Sequence, residues 1–439
     1  MGIVSINTIN NGYVDIDTSD YLHPAINLIN DNGYTIDTEE EFTPYFYRNP
    51  SYSLLLAGFL KCKKMFGSEI DYLDIKKNWD SHLLRIPYYN KEVEFIKYCQ
   101  ILLFGIISIL LYLTLRLVIK PKYAFIISIM FTCFIPMLLF ITLILRELLQ
   151  TTLLMGLNYF LSLYILQGKK IYLIILSLFL AMSVMILHVM IYLLPLIFVF
   201  MLFNKRNIVK SIKDCLLIFV MVLLISIPWL LRSYKYSNDY KILKSFGSGL
   251  TYEKMAFINA NRVLFKKGII NRQELLDVEI NNYANSVEGF NKSFNGFYTT
   301  KIDSIIFNHG YNNFEKYKIS IKDKIKNEIY GVFGIYNFFR FIYIPKLSYN
   351  VLVIGKLVAV LFGVMFCFGI LVFYKKLFPI SFILFAFLIF SVELTGRRLA
   401  PMFPLYTVYV NSFLVVLYSK FVKKKSLKES IEEIIQENI

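Results

Sequence analysis

The chain has 439 residues, of which 56% are hydrophobic, and a formal net charge of +16. Its mean hydropathy is +0.55. The apolar residues fall in blocks of roughly 20, the length that crosses about 30 Å of hydrocarbon, and lipid forces such blocks to be helical because each backbone N–H and C=O needs an internal partner. This argues against a soluble enzyme. It also argues against nucleic acid as the target of the positive charge, because Lys and Arg gather in short loops between apolar blocks, where they set topology and meet anionic headgroups.

The opening stretch departs from the rest. Residues 15–28 read DIDTSDYLHPAINL, and the first 47 residues hold eight acidic side chains and no Lys or Arg. A helix is predicted from about Tyr21 to Asn30. Residues 51–60 are apolar but too short to span, which suits a helix lying at the interface; Pro50 fits its start, and Arg48 then lies at headgroup depth. Residues 1–94 thus read as one extracytoplasmic segment.

Nine spans follow: 95–118, 123–145, 147–167, 171–187, 189–203, 213–231, 351–373, 377–394 and 402–419. The first six form one membrane region, 95–231, and the last three another, 351–419. The pair around His188 is short and reads as re-entrant or tightly bent. If the nine alternate, the basic loops KPK (120–122), GKK (168–170), NKRNIVKSIK (204–213), YKK (374–376) and the tail 420–439 share one side, which the excess of inward positive charge makes cytoplasmic. The acidic opening and the polar loop 232–350 then lie outside. That loop turns aromatic at 330–349, which suits an interface covering a site. The fold class expected is an all-α polytopic helical bundle in a bacterial inner membrane.

The five cysteines show no CxxC spacing, so neither a disulfide framework nor a zinc site is expected. No Gly-rich phosphate loop, metal-ligand cluster or Ser-His-Asp set is present. No cofactor is expected, although the composition leaves a divalent metal open.

Several short matches share one order and one expected face. Asp17, Tyr21 and Ala25 are spaced by four; Gly33-Tyr34 follows, and then Arg48, Pro50 and Tyr52. IPWLLRSYKYSNDYKILKSFGSGL (227–250) carries Pro-Trp and Arg232 at the end of a span. ELTGRRLAPMFPLY (393–406) carries an Arg-rich turn and Pro-x-x-Pro. This set resembles the GT-C membrane glycosyltransferases, in particular the family 39 protein O-mannosyltransferase and aminoarabinose transferase type. The resemblance implies a GT-C-like bundle and a sugar donor on a polyprenyl phosphate. It implies transfer at the outer face, with inversion, to a lipid, glycan or protein acceptor. The family carries a span before its Asp-bearing loop, so a missing first span is expected here.

The chemistry needs a carboxylate to deprotonate the acceptor hydroxyl and fixed cations for the departing phosphate. By its spacing to Tyr21 the resemblance makes Asp17 the base, with Asp20 the runner-up; the plain alternative is a solvated acidic loop or a helix cap. Arg48, Arg397 and Arg398 are the candidates for the donor phosphate, against headgroup contacts or salt bridges. Arg48 and Arg398 are expected to converge on an outer cavity. Glu147, where the family often places a Glu, is a further catalytic candidate, against a simple helix N-terminal acid. Tyr21, Arg146, His188 and Arg232 are candidates for substrate contact, and for His188 the alternative is a buried, hydrogen-bonded histidine. Lys356 is explained by snorkelling.

Two other functions fit the composition. An O-antigen-type polysaccharide polymerase would use Arg146 and His188. A lipid-glycan transporter would place ionisable residues at mid-membrane, whereas here the charges gather at the outer ends of spans.

Overall fold

The computed structural model describes residues 18–35, 48–67, 91–141, 143–204, 207–237, 361, 364–373, 377, 379–384 and 403–435. The described elements are helices: α1 (Thr18–Ile29), α2 (Pro50–Met65), α3 (Lys91–Leu115), α4 (Pro121–Thr132), α5 (Ile135–Ile141), α6 (Glu147–Gln167), α7 (Lys170–Val184), a 3₁₀ turn (His188–Tyr192), α8 (Leu193–Phe203) and α9 (Ile208–Ser237). They continue with α10 (Val364–Phe373), α11 (Phe403–Phe421) and α12 (Leu427–Ile434). Among the described residues, the sole extended pairing is a single bridge between Ile119 and Ile435.

Three described helices are long and apolar enough to cross a membrane: Glu94–Leu115, Glu147–Gln167 and Ile208–Lys235. They fall on the expected spans 95–118, 147–167 and 213–231. The shorter apolar helices are Pro121–Thr132, Lys170–Val184, Met190–Phe203 and Val364–Phe373. Among the described residues the architecture is therefore helical, with three helices suited to cross a membrane. The expected span 123–145 is not one helix: α4 ends at Thr132, and α5 begins at Ile135. Pro136 accounts for the break, since its ring lacks an N–H and clashes with the carbonyl four residues earlier. Near His188 the helices α7 and α8 have 15 and 11 residues, and the 3₁₀ turn joins them.

The chain forms two compact units. One comprises Ile16–Ile86 and Ile227–Lys324; the other comprises Met1–Asp15, Pro87–Ser226 and Ile325–Ile439. In the first, α1 packs on α2. Tyr21, Leu22, Ala25 and Ile26 of α1 and Tyr52, Leu56 and Leu60 of α2 are buried, each set repeating at the helical interval of three to four. The chain leaves α1 through Asp31 (φ 60°) and Gly33 (φ 78°). Two consecutive turns through left-handed geometry suit a Gly and a short acid. Asn27 closes this corner by donating from Nδ2 to the Thr35 carbonyl at 2.7 Å.

In the second unit α6 is the central element, packing against α3 and α7. Gly168 ends α6 in left-handed geometry (φ 71°), with its N–H on the Tyr164 carbonyl. The short turn that follows returns α7 along α6 as an antiparallel neighbour. A Cβ at Gly156 would stand 2.3 Å from the Phe179 ring, so this glycine lets the ring of α7 lie on the α6 backbone. Asn158 fills the middle of α6 without an exposed amide, because its Nδ2 donates to the Ile380 carbonyl and its Oδ1 accepts from the Ile383 N–H. Near the end of α6, Tyr164 donates to the carboxylate of Asp214 at the start of α9. The tail helix α12 has a capping box, Ser426 with Glu429. It folds back on α11 and is held to Lys120 by the Lys120 N–H on the Ile434 carbonyl at 2.9 Å.

Candidate functional site

The clearest assembly of expected site residues is in the unit that holds α1 and α2. Tyr21 lies on the first full turn of α1 and Tyr52 on the first turn of α2, and their rings meet edge to face with centroids 5.1 Å apart. The Arg48 guanidinium sits over the Tyr21 ring, 5.3 Å from its centroid. A cation at that distance is attracted by the ring quadrupole, more strongly where water is scarce. Tyr21 and Tyr52 are almost fully buried, and Arg48 is partly exposed.

Tyr34 joins Arg48 to Arg232. The Tyr34 hydroxyl donates to the Arg48 carbonyl at 3.1 Å, with the Asn49 carbonyl at 3.3 Å and the Ser53 hydroxyl at 3.4 Å also around it. At its other end, the Tyr34 carbonyl accepts from Arg232 Nη2 at 2.8 Å. The Arg232 guanidinium lies 5.2 Å from the Tyr34 ring centroid and 4.5 Å from that of Trp229. The Tyr34 and Trp229 rings are themselves edge to face at 4.9 Å. One buried tyrosine thus fixes the backbone beside one arginine and the side chain of another, which lies 198 residues from the tyrosine in sequence. Both cations rest on aromatic faces, which narrows their rotamers before any ligand arrives.

Arg146 and Glu147 lie in the other unit, at the N-terminus of α6. Arg146 occupies the cap position and is partly exposed; Glu147 begins the helix and is buried. A carboxylate in the first turn meets the positive end of the helix dipole. In the same unit the structure buries polar residues that the sequence did not single out. Lys97 and Gln100 are buried near the start of α3, and Gln150 is buried one turn into α6. Gln100 donates from Nε2 to the Ile141 carbonyl at 3.0 Å, tying the first turns of α3 to the segment that leads into α6. Lys97 stood at the edge of an apolar block, and its burial depends on the packing of α3 against α6.

His188 starts the 3₁₀ turn and Asp20 lies within α1. Their side chains, and all of Asp17, Arg397, Arg398, Lys356 and the loop 238–350, lie outside the described residues. The convergence expected of Arg48 with Arg398 falls there too; the described neighbour of the Arg48 loop is Arg232. Among the described residues no group of three or more His, Cys, Asp or Glu is arranged to hold a metal ion. The five cysteines are free thiols.

The chain matches no family model, no curated protein and no solved structure.

Proposed function

We propose that the chain is a membrane glycosyltransferase that moves a sugar from a polyprenyl phosphate to a lipid, glycan or protein acceptor. It would act in the bacterial inner membrane, on the face away from the cytoplasm. The observation that carries this reading is the Arg48–Tyr21–Tyr52 and Tyr34–Arg232–Trp229 assembly. Two stretches that resemble the GT-C transferases, within residues 17–52 and 227–250, contribute to it, and each places a cation and an aromatic face in the same unit. Fixed guanidinium groups suit a phosphate.

In this reading the acceptor oxygen attacks the anomeric carbon as the bond to the phosphate oxygen breaks, which inverts that carbon. Asp17 takes the acceptor proton. The phosphate leaves with the electron pair of the broken bond and is met by Arg48, with Arg397 and Arg398 as further cations. Asp20 and Glu147 are secondary candidates for the base.

The test is transfer from a panel of polyprenyl-phosphate sugars by membranes containing the full chain. Asp17→Asn is expected to lower the rate by about 10²–10⁴-fold, the usual contribution of a general base, while radiolabelled donor is still retained. Asp20→Asn is expected to be far milder. In intact cells the product must be reachable by an impermeant glycan-binding reagent. Transfer at the full rate by Asp17→Asn removes Asp17 as base, and no transfer from any sugar in the panel overturns the reading.

A further inference from the structure

The elbow between α11 and α12 is exposed along nearly all its length, although α11 begins deep in the protein. Residues Phe403–Ser412 are all buried. The helix then emerges: Tyr418, Phe421 and Val422 have 55%, 71% and 62% of their surface exposed, and Leu427 at the start of α12 has 45%. Five lysines stand among them, Lys420, Lys423, Lys424, Lys425 and Lys428. These lysines are not equivalent. Glu433 holds Lys423 and Lys425, and Glu432 lies 3.9 Å from Lys428. Among the described residues no carboxylate pairs with Lys420 or Lys424, and both are exposed. Two ammonium groups lie against aromatic rings: Lys420 Nζ is 5.7 Å from the Phe421 centroid, and Lys423 Nζ is 5.9 Å from that of Tyr418.

We propose that residues 418–428 form a docking surface for an anionic bilayer, with Lys420 and Lys424 meeting lipid phosphates and Phe421 and Val422 entering the acyl boundary. Charge and position select this occupant. Basic clusters directly beyond a membrane helix attract anionic headgroups, and α11 nearly coincides with the expected span 402–419. Aromatic rings suit headgroup depth, and a lysine stem runs along apolar surface while its ammonium stays wet. Glu433 has a separate part. By tying Lys423 and Lys425 to α12 it holds the elbow in one shape, which leaves Lys420 and Lys424 to the lipid. The surface does not depend on the transferase reading.

The test uses the full chain in bilayers of phosphatidylcholine containing a minority of phosphatidylglycerol. The five cysteines are replaced by Ser, and Val422→Cys carries a nitrobenzoxadiazole fluorophore. Bromine on the acyl chains of one lipid at a time quenches the probe. Quenching by brominated phosphatidylglycerol is expected to exceed that lipid's share of the bilayer, and the excess should shrink at about 1 M salt, where charges are screened within roughly 3 Å. Lys420→Gln and Lys424→Gln are each expected to lower the excess by about fivefold, the usual worth of one lysine at an anionic surface. Lys428→Gln should lower it less, because Glu432 shares its charge. Retention of phosphatidylglycerol through detergent washing, compared between the parent chain and the same lysine variants, repeats the measurement with every cysteine in place. Quenching by both lipids in proportion to their shares overturns the anionic headgroup. No quenching by either lipid puts the elbow against water or protein and overturns the bilayer as occupant. Equal losses in all three lysine variants show diffuse attraction and overturn the assignment to Lys420 and Lys424.

Discussion

Tyr34 shows what a single residue contributes here. Its ring packs against Trp229, its hydroxyl holds the Arg48 carbonyl, and its own carbonyl holds Arg232. Tyr34→Phe removes only the hydroxyl. The ring contacts and the bond from Arg232 remain, so the change isolates the tie to the Arg48 segment. Its loss is expected to cost about 0.5–1.5 kcal/mol of stability, the usual net worth of one hydrogen bond, read as a lower unfolding temperature in detergent. If Arg48 meets the donor phosphate, the same change also weakens donor retention, because the backbone that aims its side chain is loosened. Unchanged stability and unchanged retention would remove Tyr34 as the link. Tyr21, Arg48 and Arg232 were singled out from the sequence, by the family resemblance and, for the arginines, by their expected outer placement. The bridging role of Tyr34 and the burial of Trp229 were not. Those depend on contacts between α9 and residues nearly 200 positions earlier, which spacing within one motif cannot encode.

At the scale of elements, the sequence was most informative where a block was long and flanked by breakers. The span expected at 147–167 coincides with α6, because an acid marks its start and Gly168 its end. It was least informative at 123–145, where continuous apolar character concealed the break that Pro136 imposes. The tail helix α12 adds an element that no apolar count would find. Its carboxylate Glu433 accepts hydrogen bonds from Lys423 at 2.6 Å, Ser419 at 2.8 Å, Lys425 at 3.0 Å and Tyr123 at 2.5 Å. These partners, the bond from Lys423 foremost, hold its carboxyl well below the usual carboxylate range. A depressed carboxyl stabilises the folded form wherever the unfolded form would already be ionised. The contribution is present above the ordinary carboxylate pKa of about 4.3 and is lost as pH falls through the lower folded value. Docking of α12 should therefore persist at neutral pH and weaken only in strong acid. Glu433→Gln removes the charge that gathers the lysines and should increase cleavage by trypsin after Lys423, Lys424 and Lys425 at pH 7. Equal cleavage rates in the variant and the parent would show that the backbone tie at Ile119, Lys120 and Ile434–Ile435 suffices alone.

For the whole molecule, the three candidate spans differ in how much of each the protein itself covers. In the most apolar stretch of α6, 83% of the residues are buried within the protein, against 44% for α3 and 28% for α9. This order follows from packing: α6 has α3 and α7 against it, and its inward polar residues Asn158, Ser162 and Tyr164 are engaged by neighbours or by its own turns. The middle of α9 instead exposes Leu216, Phe219, Val220, Leu223 and Leu224. Apolar residues exposed over several turns of a spanning helix have lipid as their natural partner, because a patch of that extent is costly in water. A lipid-soluble carbene reagent, activated in native membranes and mapped by mass spectrometry, should therefore label α9 several-fold more per residue than α6, with α3 between them. Heavy labelling of α6 with a protected α9 would place the central helix at the lipid boundary and overturn this assignment of faces.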